Sequence, residues 1–91
     1  MITIHKHAVF LGDTFTIELP EGATFLSVQM QHGKPQMWFR VDDSRPMRRQ
    51  IFGVCGTGNE IPAQVAHSPF LGTFQVDGGS FVFHVFGGIY S

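Results

Sequence analysis

At 91 residues the chain has room for one domain with a modest core and too little for a deep, enclosed active site. Six Lys and Arg against seven Asp and Glu leave a net charge of −1, which excludes both the basic footprint of a general nucleic-acid binder and the acidity of a DNA mimic. The single cysteine, Cys55, excludes an internal disulfide, and no apolar run approaches the roughly 20 residues that cross a membrane.

The opening MITIHKHAVF has neither the long apolar segment nor the small-residue site of a secretory leader, so a soluble protein of a reducing cytoplasm is expected. Residues 2 to 9 read as an edge strand able to pair with another chain. His5 and His7, two apart, share one face of it. A zinc site would need a third His or Cys55, and without a ligand quartet at fixed spacing no metal and no cofactor is expected.

Residues 14 to 19, TFTIEL, alternate strictly, with Phe15, Ile17 and Leu19 on one face, as a half-buried strand requires. Pro20-Glu21-Gly22 then turns the chain. Residues 25 to 31 and 36 to 41 flank HGKP and form a hairpin with His32-Gly33 at its tip, which puts Leu26, Val28 and Met30 on the face of Met37, Phe39 and Val41. Phe25, Ser27, Gln29, Trp38 and Arg40 then share the opposite face. Trp and Arg are the residues most enriched at interface hot spots, so this face is a candidate contact surface.

DDSRPMRRQ, residues 42 to 50, reads as a polar loop joining two sheet segments. It carries Arg45, Arg48 and Arg49, whose guanidinium forks suit an acidic partner. QIFGVC at 50 to 55 reads as a strand that runs into GTGNEIP, and one helical turn is expected near Pro62. Gly56-Thr57-Gly58-Asn59 matches neither the phosphate loop nor the dinucleotide fingerprint, yet backbone amides of such a turn are able to cradle an anion. Cys55 has no His partner legible in the sequence, so no catalytic residue is assigned and no enzyme is expected.

FLGTFQV and FVFHVF close around DGGS as a second hairpin. With Gly78-Gly79 at the turn, Phe74 pairs with Phe83 and Val76 with Phe81, while His84 stands opposite Thr73 on a partly polar face with Leu71, Gln75, Val82 and Phe86. His84 is therefore expected to be hydrogen-bonded and structural, a ligand role being the alternative. The whole of residues 1–91 is expected to be a single all-β domain of about six or seven antiparallel strands, in a meander forming a barrel or sandwich.

Gly56-Thr57-Gly58, Gly72-Thr73-Phe74-Gln75 and Phe83-His84-Val85-Phe86, in this order after the IHKH strand, resemble a family of short phage and prophage proteins of unknown function. Similar sequences carry a histidine after Gly-Thr-Gly, where this chain has Asn59. The resemblance implies a phage or prophage source and action in the cytoplasm of the bacterial host. Such a protein, of the anti-CRISPR type, is expected to inhibit a host defence complex, such as a CRISPR effector subunit, by steric occlusion, as a monomer or homodimer and without direct nucleic-acid binding. The alternatives are a small-molecule or nucleotide binder at the glycine turn and a minor virion or assembly component.

Overall fold

The strict alternation of TFTIEL becomes strand β2, Thr14–Pro20, with Ile17 and Leu19 buried and Phe15 packed against the same core. The computed structural model describes residues 1–90 and side chains through Gly88. In it, β1 is Ile2–Ala8, β3 Thr24–Gln31, β4 Lys34–Asp42, β5 Met47–Gly56, β6 Phe70–Val76 and β7 Phe81–Tyr90. All pairings are antiparallel, in two sheets of order β1-β4-β3 and β2-β5-β7-β6. The sheets stack as an open sandwich and do not close into a barrel. The described residues hold two 3-10 turns: Ala63–Val65, next to Pro62 in the β5–β6 connection, and Asp77–Gly79, which joins β6 to β7.

Only β3–β4 and β6–β7 are hairpins, so the order is not a meander. The connections β1–β2, β2–β3 and β4–β5 pass from one sheet to the other, because each sheet alone leaves one apolar face that only the other can cover. Residues 42 to 50 are mostly strand rather than loop: the turn is confined to 43–46, and Met47–Gln50 pair with Ile17–Pro20. Asp42 closes that turn by accepting from Ser44 N–H and Oγ, and these bonds hold its carboxyl below the usual carboxylate range.

The core runs between the sheets as a ladder of rings. Phe15 stacks on Phe52, Phe52 meets Phe39 edge-on, and Phe39 meets Phe25 and His7 edge-on, with centroids 5.8 to 6.0 Å apart. Leu19, Met37, Val41, Val65 and Val85 are fully buried, each apolar side chain of this size contributing about 1.5–3 kcal/mol of transfer free energy. Two glycines carry tertiary constraints. A Cβ on Gly53 would overlap Val65 Cγ2, so the missing side chain seats the helical turn on the outer face of the second sheet. Gly87, at φ +141, lies at the β5–β7 bulge, where a Cβ would come within 2.6 Å of Ile51 O.

Candidate functional site

Strand β1 alternates without interruption, so Ile2, Ile4, Lys6 and Ala8 face outward while Thr3, His5 and His7 turn toward the core side. Its register sets Ile4 beside Arg40 and Lys6 beside Trp38. On the other side of β4, Thr24 pairs with Arg40 and Ser27 with Trp38. The pairing shifts between Phe25 and Ser27, leaving Leu26 as a bulge on the outer face, 43% exposed.

The outer face of the β1-β4-β3 sheet thus collects exposed Ile4 and Leu26 around a half-buried Trp38, with exposed Ile2 farther along β1 opposite Asp42. Ile4, Leu26, Ser27, Gln29 and Trp38 line a shallow depression of about 280 Å³. Arg40 and Lys6 border it, with Lys6 Nζ donating to Gln31 Oε1 at 2.8 Å. An apolar centre with a polar and cationic rim is the anatomy of a protein contact surface.

The bulge corrects the sequence-based face assignment. Phe25 is not a neighbour of Trp38 and Arg40 on the outer face; it turns inward and packs on Phe39. Leu26, expected on the face of Met37, Phe39 and Val41, takes its place outside. Ile2 and Ile4 were missed, although the period of two that puts His5 and His7 on one face requires both isoleucines on the other.

The arginines separate. Arg45 Nη2 donates to Glu21 Oε1 at 2.5 Å and Arg48 Nη1 to Glu21 Oε2 at 3.0 Å, tying the β4–β5 turn to the β2–β3 turn. The Arg45 bond, with Arg48 alongside, holds the Glu21 carboxyl below its ordinary range. Arg49 pairs with Glu18 in the other sheet, apart from Trp38 and Arg40. Of the six residues expected to bind a partner, only Trp38 and Arg40 lie together on this outer face.

A second polar group occupies the β2-β5-β7-β6 sheet. The β6–β7 hairpin has the expected register, with Thr73 opposite His84, Phe74 opposite Phe83 and Val76 opposite Phe81. Ser80 N–H donates to Asp77 O across Gly78-Gly79. A bulge between Phe70 and Gly72 sends Leu71 to the core side instead of the His84 face. His84 Nδ1 lies 2.9 Å from Thr73 Oγ1 and Nε2 lies 2.7 Å from Thr57 Oγ1. Either neutral tautomer is satisfied there, since one hydroxyl accepts from the ring N–H and the other donates to the bare nitrogen.

The β5–β7 register also sets Cys55 beside His84, a relation invisible in the sequence. With both ring nitrogens engaged by threonines, His84 is not free to act as a base for the thiol. In the glycine turn, Thr57 N–H donates to Val82 O at 3.1 Å and Asn59 N–H to Gly56 O at 3.0 Å, so these amides serve the fold rather than an anion. Among the described residues no three His, Cys, Asp or Glu side chains gather as a metal site, and no helix is long and apolar enough to cross a membrane.

The fold and its surfaces define a small antiparallel β-sandwich protein with an exposed apolar sheet face. The chain belongs to the family described as Domain of unknown function (DUF7352), whose model matches residues 1–90. No curated protein and no solved structure matches it.

Proposed function

We propose that the protein is a binding module that acts by covering a surface of a protein partner with the outer face of its β1-β4-β3 sheet. The observation that carries this reading is the pair of exposed Ile4 and Leu26 beside Trp38, with Arg40 and Lys6 adjacent and exposed Ile2 on the same face. An exposed apolar patch rimmed by polar residues marks an interaction site, and Trp and Arg are the residue types most enriched among interface anchors. The resemblance to short phage and prophage proteins supports a phage or prophage source, action in the host cytoplasm, and a host defence complex such as a CRISPR effector as the partner. The chemistry is steric occlusion and uses no catalytic group.

The test is calorimetric titration of purified CRISPR effector complexes with the wild-type protein and with folded Trp38→Ala and Ile4→Asp variants. Binding by the wild type, weakened about 30-fold or more by either substitution, is the expected result. Binding left unchanged in both folded variants moves the contact surface elsewhere, and no binding to any effector removes that class of partner.

A further inference from the structure

Strand β1 has one side committed to β4 and one side open. Asp43 N–H donates to Met1 O at 3.0 Å and Val9 N–H donates to Pro35 O at 3.1 Å, at the two ends of an unbroken register. Alternate residues of a strand direct their backbone groups to opposite sides, so Thr3, His5 and His7 bond β4. Ile2, Ile4, Lys6 and Ala8 therefore aim four N–H and four C=O groups out of the sheet. Unpaired edges are a liability that proteins blunt with bulges, prolines, charged side chains such as lysine, or cover. The other three outermost strands show such devices. β3 carries the Leu26 bulge, β6 carries the Leu71 bulge, and β2 ends in buried Pro20, which has no N–H. β1 has neither bulge nor proline, Lys6 is the one such charge on its outer face, and β4 is the strand it packs against most extensively.

We propose that this edge pairs antiparallel with β1 of a second copy about a two-fold axis through His5, joining the two β1-β4-β3 sheets into one of six strands. The register follows from the backbone. Even-numbered residues must bond even-numbered residues, so the axis falls on Ile4, His5 or Lys6. An axis at Lys6 sets two lysines directly opposite, and an axis at Ile4 leaves the Ala8 groups unpaired. The axis at His5 pairs Ile2 with Ala8 and Ile4 with Lys6, satisfies every open group of both strands, and sets His5 opposite its own copy where the axis at Lys6 would oppose two permanently charged lysines.

The side chains fit this choice. Thr3 of each copy stands opposite His7 of the other in a non-hydrogen-bonded pair, where side chains approach most closely. The His7 ring carries a buried Nε2 with no hydrogen-bond partner among the described residues, and the pairing brings a hydroxyl to its side. Outside, the two patches of Ile2, Ile4, Leu26 and Trp38 become parts of one face, so a dimer would present a doubled contact surface. The pairing itself is independent of any partner.

The experiment is light scattering of the purified protein alone, up to about 0.5 mM so that even weak self-association is populated. The expected mass is twice the 10.1 kDa of the chain. Ile4→Pro removes an edge N–H that no β4 bond uses, and should give a folded monomer. Should that variant not fold, Ile4→Lys, which faces Lys6 of the second copy, should also give the monomer, and adding Lys6→Glu should restore the dimer. In a Cys55→Ser background, His5→Cys should cross-link to itself on mild oxidation, because non-hydrogen-bonded partners have Cα atoms about 4.5 Å apart, within disulfide reach. A monomeric wild type, a dimer unaffected by the Ile4 substitutions, or a dimer without the cross-link would each overturn the proposal.

Discussion

Phe25 stands directly opposite Phe39 in the β3–β4 pair, and the two rings meet edge-on with centroids 5.8 Å apart. Phe39 is also met by Phe52 from the other sheet, so Phe25 is joined to the ring ladder that crosses the sandwich. The next residue, Leu26, is the bulge and points the other way. Adjacent large apolar residues therefore do opposite jobs, one in the core and one on the candidate contact face.

This separation is measurable. Phe25→Ala should lower the unfolding free energy by about 2–4 kcal/mol, less than a fully buried phenylalanine because the ring is partly exposed. Leu26→Ala should change it by less than about 0.5 kcal/mol, as surface substitutions do. Urea denaturation of the two variants checks both, and a larger loss for Leu26 than for Phe25 would return the bulge to the opposite parity.

His84 is held between two threonines on partly open surface, so its role is local. His84→Gln keeps a donor and an acceptor but cannot span both hydroxyls, and should cost about 1 kcal/mol in stability, the net value of one hydrogen bond. Partner binding should be unchanged, since the group lies on the other sheet from Trp38. Loss of binding at an unchanged melting temperature would give His84 a functional role instead.

Burial, and then the nearby His5 charge, hold the His7 imidazole below its ordinary value of 6.5. Folding therefore favours the neutral ring. As pH falls through 6.5 the unfolded chain takes up a proton that the folded chain does not, so stability is full above that pH and declines below it, levelling off once the folded ring also charges. Melting temperatures of dilute protein between pH 8 and pH 5 should drop more steeply for the wild type than for His7→Phe; parallel curves would show that His7 does not contribute.

What the sequence determined by itself was local. The alternation in TFTIEL, the turns at His32-Gly33 and Gly78-Gly79, and the His84–Thr73 pairing all rest on a period of two and on residues that accept positive φ, both properties of a few consecutive amino acids. The tertiary structure alone decided which sheet each strand joins. Partner choice depends on burying apolar faces between segments far apart in the chain, and β1 with β4 or β2 with β5 leaves no short-range trace. It also decided the bulges, because one inserted residue reverses every face assignment beyond it, and in Phe25-Leu26 both candidates for the inward position are large and apolar. Met47–Gln50 read as loop for a related reason: at a sheet end Arg48 reaches solvent and Glu21 while Gln50 is buried, so polarity there does not follow the strand. The candidate face around Trp38 was thus half legible in the sequence, and its composition was set by the bulge at Leu26 and the placement of β1 beside β4.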